Sequence, residues 1–138
     1  MTAPCDLDAR CWRYVMPPDM TGRARQVELA RRDVVAFFHG HGVPAEAMLD
    51  MEIVLGEAAA NVACHSGSYQ MRVSVSAAGG EACLVVEDDG IGFEPAAVPE
   101  PDMVSEHGRG IHLMRSLART TILSGRCGTS VTARKGWP

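Results

Sequence analysis

Two polar side chains interrupt an otherwise apolar stretch of the sequence, and their types and spacing could support catalysis. Glu57 and Asn61 lie four residues apart, and His65 follows four residues later. On a helix, residues four apart stack on one face. A carboxylate there could act as a general base, and an amide oxygen is a suitable hard ligand for Mg²⁺. The ordinary alternative is a narrow stripe facing solvent, with His65 as a hydrogen-bonding residue at the helix end.

A short glycine motif follows a run of apolar residues. Asp88, Gly90 and Gly92 alternate with other residues at the end of what the pattern predicts to be a buried strand. Glycines permit a tight turn and the close approach of a ligand to the backbone. Asp88 could accept a hydrogen bond from an exocyclic amine such as that of adenine. Taken alone, the motif also fits a simple acidic turn.

Two further glycine sites precede regular elements. Gly108, Arg109 and Gly110 lead into a predicted helix, and Gly128-Thr129 stands just before the last predicted strand. A helix N-terminus with free backbone N–H groups attracts anions, and Arg109 could add charge-assisted hydrogen bonds to a phosphate. The ordinary alternatives are a flexible joint for the first site and a hairpin turn for the second.

The apolar periodicity predicts the elements that must position these residues. It indicates a strand, two helices, a hairpin, a third helix and a second hairpin, over residues 11–16, 23–41, 44–64, 69–88, 111–118 and 120–135. The second helix is apolar nearly all round, which is typical of a helix buried against a sheet. Residues 82–86 are continuously apolar, as expected of a strand covered on both faces or near the sheet centre. The order predicts an α/β (α+β) two-layer sandwich, with a mostly antiparallel mixed sheet covered on one face by about three helices.

Length and composition restrict the function classes. The 138 residues suit one domain, over 11–135, after a loose terminus at 1–10. The net charge is −4 and no cluster of Lys and Arg stands out along the chain, so neither nucleic acid nor membrane is an expected partner. The chain has no apolar run of about 20 residues, and we expect a cytoplasmic protein. Five scattered cysteines predict free thiols rather than a zinc site, with Cys64 and Cys83 as small buried residues.

The four features occur in one short chain, each at an element boundary, and together they resemble the GHKL ATPase superfamily of DNA gyrase, Hsp90, MutL and the histidine kinases. Segments 57–61, 88–92 and 108–113 are similar to its N, G1 and G2 boxes. The chain most resembles the bacterial anti-sigma factor serine/threonine kinases. The Glu-x-x-x-Asn-x-x-x-His pattern, the Gly-Arg-Gly-Ile-His-Leu-Met segment and the small isolated domain all support that branch.

The resemblance implies a binding site for ATP and Mg²⁺ with assigned roles. Glu57 would be the general base for a serine or threonine hydroxyl, and Asn61 would hold Mg²⁺. Asp88 would bind the adenine amine. Thr129 would support the same end of the nucleotide, with Ser130 as an alternative.

The glycine-rich segments have roles by the same resemblance. Gly90 and Gly92 would let the loop pass over the nucleotide. Gly108, Arg109 and Gly110 would cradle the phosphates. By the same resemblance, the proline-bearing segment 95–107 would be the ATP lid. Its prolines predict that it forms no regular helix.

The resemblance also implies partners. Such proteins switch between a sigma factor that they sequester and a STAS-type antagonist that they phosphorylate. They commonly dimerise, and the first helix and first strand are the expected surface. Three alternatives stay open: an ATP-binding partner switch without kinase activity, a detached histidine-kinase catalytic domain, and a structural protein that only shares the fold.

Overall fold

The computed structural model describes residues 9–65, 69–90, 106–125 and 128–138. Within them the predicted order of elements is confirmed. The strands are β1 (Ala9–Val15), β2 (Gln70–Ala78), β3 (Glu81–Asp88), β4 (Arg119–Gly125) and β5 (Gly128–Gly136), and the helices are α1 (Met20–Gly40), α2 (Ala45–His65) and α3 (Glu106–Leu117).

The strands form one sheet in the order β1-β2-β3-β5-β4. All four pairings between them are antiparallel, so over the described strands the sheet is wholly antiparallel rather than mixed. Buried residues of all three helices and of the inner strands form a single core between the helix layer and one sheet face. The predicted two-layer α+β fold is confirmed.

The continuous apolar run in β3 was predicted to mean either that both faces of the strand are covered or that it lies near the sheet centre. Ala82, Leu84 and Val86 are buried beneath the helices, whereas Cys83 and Val85 on the other face are only half-buried. The strand is apolar because it lies at the sheet centre, and it is not covered on both faces. Cys83 therefore differs from the predicted buried thiol, and the side chain of Cys64 lies outside the described part of the chain.

Helix α1 begins three residues before its predicted start because Asp19 caps it. The Oδ2 atom of Asp19 accepts a hydrogen bond from the Gly22 amide at 2.7 Å, and this satisfies one of the N–H groups that lack an acceptor within the helix. The apolar face is the predicted one. Its buried members are Ala30, Val34, Phe37 and Phe38.

Helix α2 lies between α1 and α3 and packs on β3 and β5. Most of its circumference is apolar, and seven of the side chains that the structure describes are buried: Ala47, Met51, Val54, Leu55, Ala58, Ala59 and Val62. This burial fixes the rotation of α2, and so the direction in which its few polar side chains point. In the described part of the chain, no helix combines the length and apolar character needed to cross a membrane.

The start of β5 crosses very close to the end of β3. Gly128 has a φ of 129°, and a Cβ built on it would lie 1.9 Å from the carbonyl oxygen of Asp88. No side chain fits there, and a residue other than glycine would also be strained at that backbone angle. The turn signal at this position therefore reflects a steric requirement of the sheet.

We expect Gly128→Ala to lower the free energy of unfolding by about 2–4 kcal/mol, through overlap with Asp88 and backbone strain. Gly125→Ala in the neighbouring strand is the matched control, because its Cβ meets no atom within 4 Å, and we expect it to change stability by less than about 0.5 kcal/mol. Urea denaturation followed by circular dichroism measures both. Equal stability of the two variants would contradict the steric argument.

Candidate functional site

The polar stripe of α2 faces its neighbour helix. Glu57 and Asn61 are both half-buried, one turn apart, on the half of α2 nearest its C-terminus. The Oε2 atom of Glu57 lies 2.8 Å from where a Cβ on Gly110 would be. The Glu57 carboxylate thus occupies the space that the absent side chain leaves beside α3, rather than pointing into open solvent.

Helix α3 starts earlier than the sequence predicted. It begins at Glu106 and not near residue 111, so Gly108, Arg109 and Gly110 lie within its first two turns. Glycine inside a helix is unfavourable by about 1 kcal/mol but not forbidden. Only the first four N–H groups of a helix lack an acceptor within it. Gly110 is the fifth residue, so the predicted anion site is confined to the amides up to Arg109, whose side chain is exposed.

Asp88 ends β3 with a partly satisfied carboxylate. Its Oδ1 accepts a hydrogen bond from the Gly90 amide at 2.8 Å, and the Thr129 amide also donates to the carboxylate. Burial raises the pKa of Asp88 above its ordinary value, and these two hydrogen bonds oppose that rise. Gly92 and residues 95–105 of the predicted lid lie outside the described part of the chain.

Thr129 is the residue of β5 whose backbone amide contacts the Asp88 carboxylate. Its side chain is buried, and its Oγ1 lies 3.0 Å from Ser124 Oγ on β4. Ser130 is the next residue along the strand, and its side chain points to the opposite face of the sheet because side chains alternate. Of the two residues considered for this position, Thr129 is the one beside Asp88.

Arg23 contacts the end of α2 that follows Asn61, and no pattern in the sequence predicted this contact. Its Nε donates to the Pro17 carbonyl at 2.8 Å, and its Nη1 donates to the carbonyls of Ala63 at 3.1 Å and Val62 at 3.5 Å. These last two are carbonyls of the final α2 turns, just after Asn61. The separation of 40 residues between Arg23 and Ala63 explains why no local pattern could predict the contact.

Asp89 is a second residue whose role the sequence did not show. Its Oδ1 accepts hydrogen bonds from the amides of Tyr69 at 3.0 Å and Gln70 at 3.3 Å. The contact holds the start of β2 against the end of β3. Asp88 lies two residues after the buried Val86, so alternation along β3 places its carboxylate on the helix side of the sheet.

These residues fit the groups that an adenine nucleotide and Mg²⁺ would present. A carboxylate has about four acceptor positions, and two amides use Asp88, so capacity for an amine donor remains. Among the described residues no group of three or more His, Cys, Asp or Glu could hold a metal ion. Mg²⁺ often takes few protein ligands and completes its shell with phosphate oxygens and water. Asn61 offers one such oxygen.

A comparison with models of protein families shows to which family the chain belongs. Residues 20–135 match the model of the histidine kinase-like ATPase domain. The chain belongs to that family. The match covers both helices of the N-terminal half, the whole β2–β5 region and every residue assigned to the site, so the predicted GHKL relationship is confirmed.

Solved structures share the fold of this ATPase domain. The RsbU and RsbW domains of Rv1364c from Mycobacterium tuberculosis superpose with a TM-score of 0.65 at 17% identity, over 92% of this chain and 32% of that one. The histidine kinase domain of the Erythrobacter litoralis EL346 blue-light activated histidine kinase superposes with a TM-score of 0.55 at 20% identity, over 83% of this chain and 63% of that one. The Acinetobacter baumannii histidine kinase AdeS superposes with a TM-score of 0.52 at 13% identity, over 92% of this chain and 67% of that one.

This chain therefore spans about a third of the Mycobacterium chain and under two thirds of the Erythrobacter domain. A search of curated proteins found no match. At these identities the structural likeness establishes the fold.

Asp88→Asn tests how burial affects the site, since it removes the charge and keeps an acceptor oxygen. Burial raises the pKa of Asp88, so the ionised form destabilises the fold at neutral pH, and this effect disappears as the pH falls through the raised value. We expect the variant to melt at the same or a higher temperature than the unchanged chain at pH 7. The difference should vanish below about pH 3.9, where the unfolded carboxyl is also protonated.

Thermal denaturation at several pH values measures this effect. A variant that melts lower than the unchanged chain at pH 7 would show that the two amide hydrogen bonds outweigh the burial of charge.

Proposed function

We propose that the chain is an ATP-dependent serine/threonine protein kinase and anti-sigma factor, which phosphorylates a STAS-type antagonist in a partner-switching module. Membership of the histidine kinase-like ATPase family supports the nucleotide site. The observation that carries the proposal is the Glu57 carboxylate, held against Gly110 of α3 and one turn before Asn61. A protein that only bound the nucleotide would have no need of a base at this position.

Each site residue has a distinct task in this proposal. Glu57 would take the proton from a serine or threonine hydroxyl of the partner as that oxygen bonds to the γ-phosphorus of ATP, while the bond from this phosphorus to the β-phosphate oxygen breaks and ADP leaves. Asn61 presents its amide oxygen to the metal. ATP would supply the phosphoryl group, and Mg²⁺ bound at Asn61 would supply positive charge that offsets the charge of the phosphates. Asp88 accepts from the adenine amine, with Thr129 beside it holding the carboxylate in place.

The start of α3 would hold the phosphates. The free amides of its first turn, including that of Gly108, point toward the N-terminal end, where the helix dipole favours negative charge. The exposed guanidinium of Arg109 can add charge-assisted hydrogen bonds. Gly90 is buried at the turn after β3, where a side chain would approach the ligand.

The proposed partners are a sigma factor and a STAS-domain antagonist. The support is the spacing of Glu57, Asn61 and His65, which resembles the anti-sigma kinases, together with the fold shared with the RsbU and RsbW domains of Rv1364c. A homodimer through α1 and β1 is part of the same proposal. Exposed apolar side chains lie at this surface, with Val15 at 71% and Leu29 at 45% exposure.

Calorimetric titration with ATP, with and without Mg²⁺, tests the nucleotide site first. We expect binding that depends on Mg²⁺, and we expect Asn61→Ala to lose the dependence because the amide oxygen is gone. Unchanged Mg-ATP affinity in that variant would remove Asn61 from the site.

Glu57→Gln should keep the affinity and lower phosphotransfer to a STAS-type protein by about 10²–10⁴-fold. Full transfer by this variant, or binding by the unchanged chain without any transfer, would instead favour a partner switch that lacks kinase activity.

Gly110→Ala tests the packing that places the base. The new methyl group would lie 2.8 Å from Glu57 Oε2, so the carboxylate must move, and a displacement of about 1 Å can lower a rate about 10²-fold. We expect phosphotransfer to fall by that order while the fold is retained. Gly56→Ala, one residue before Glu57 on an open surface, is the control with a comparable substitution. Equal transfer rates in the two variants would show that Gly110 does not position Glu57.

A further inference from the structure

Four basic side chains meet in a groove at the end of the sheet opposite to Asp88. The groove encloses about 420 Å³, and its charged lining residues are Arg115, Arg119, Arg134, Lys135 and Glu81. They come from the end of α3 and from three strands, so no basic run marks them in the sequence. Strand β3 leads from Glu81 at the groove to Asp88 at the nucleotide site, seven residues or about 23 Å further along the strand. The groove is a separate surface.

Capping of α3 does not account for all of these cations. The Oγ1 atom of Thr120 lies 3.0 Å from the Ala118 carbonyl oxygen and 3.2 Å from that of Met114. The Nζ atom of Lys135 donates to the Leu117 carbonyl at 2.8 Å. Of the last four carbonyls of the helix, that of Met114 accepts from the Ala118 amide as well as from Thr120, and that of Leu117 accepts from Lys135.

Arg115 and Arg119 are the two basic residues of the groove that this capping does not involve. Both are exposed, and neither forms an ion pair with any residue that the structure describes. Arg119 lies directly opposite Arg134 in the β4–β5 pairing. Like charges in that position are unfavourable, so the sheet tolerates a repulsion that an acidic ligand would relieve.

The one acidic side chain in the groove can be displaced. Glu81 pairs with Arg134 at 3.2 Å, and the two side chains are 43% and 50% exposed. A pair with this exposure contributes little to stability. Lys135, by contrast, is held by Asp50 at 3.0 Å with both side chains less exposed. The guanidinium groups of Arg115, Arg119 and Arg134 are therefore the ones available to a ligand.

We propose that this groove docks an acidic segment of a protein partner. Guanidinium groups match carboxylates through two parallel hydrogen bonds, and three of them line one compact groove. A nucleic acid fits less well, because domains that bind one usually carry an excess of basic residues over an extended surface, whereas this chain has 13 Lys and Arg against 17 Asp and Glu. The inference goes beyond the proposed kinase function, since it requires neither ATP nor Glu57.

The test uses the full chain and a fluorescently labelled oligoglutamate peptide, with binding followed by anisotropy at physiological salt. Arg119→Glu places a carboxylate opposite Arg134, so we expect an equal or higher melting temperature together with a loss of peptide affinity of at least about tenfold. Arg25→Glu on α1 is the matched control, because Arg25 is also exposed and forms no ion pair with the described residues. Its peptide affinity should not change.

Equal losses in the two variants would overturn the proposal, because binding would then follow net charge alone. Tighter binding of an oligonucleotide of equal charge, or of vesicles containing anionic lipid, would also overturn it. ATP affinity should be unchanged in Arg119→Glu, and peptide affinity should be unchanged in Asp88→Asn. Peptide affinity therefore tests the proposal for the groove, and ATP affinity separately tests the proposal for the nucleotide site.

Discussion

The backbone contact between Gly128 and Asp88 determines the geometry of the nucleotide end of the site. At this point the first residue of β5 passes against the carbonyl of the last residue of β3, with no room for a side chain. The same crossing brings the Thr129 amide to the Asp88 carboxylate. The acceptor proposed for adenine is thus oriented by two inner strands of the sheet together with the Gly90 amide at the following turn, and the strands give it a rigid support.

The other half of the site depends on the burial of α2. Seven buried apolar side chains set the rotation of this helix, and Arg23 ties its last turns to the segment before α1. Glu57 and Asn61 are therefore presented from a scaffold that is close-packed on most sides. Gly110 then sets how closely α3 approaches the Glu57 carboxylate. Catalytic geometry of this kind comes from packing more than from direct polar contacts between the functional groups.

Sequence patterns predicted the elements, their order and the residues near the site, because periodicity and glycine positions are local signals. They placed the start of α3 near residue 111, where the structure has Glu106, since glycines indicate a break that the helix in fact tolerates. They could not show that Gly110 borders Glu57, or that Arg23 reaches Ala63, because those contacts join distant segments. The basic groove was missed for the same reason: Arg115, Arg119 and Arg134 are scattered along the chain and meet only in the fold.

The strand order has a consequence for how the chain acquires its structure. Central strand β3 pairs with β2 through a two-residue turn, but its other neighbour is β5, the last strand along the chain. During synthesis, one edge of β3 must remain unpaired until residues beyond 128 have left the ribosome. Strand β1 likewise waits for β2, about 60 residues later. Pairings that are so distant in sequence form slowly, and unpaired strand edges invite association with other chains. The complete C-terminal hairpin is therefore what protects the nascent domain from aggregation.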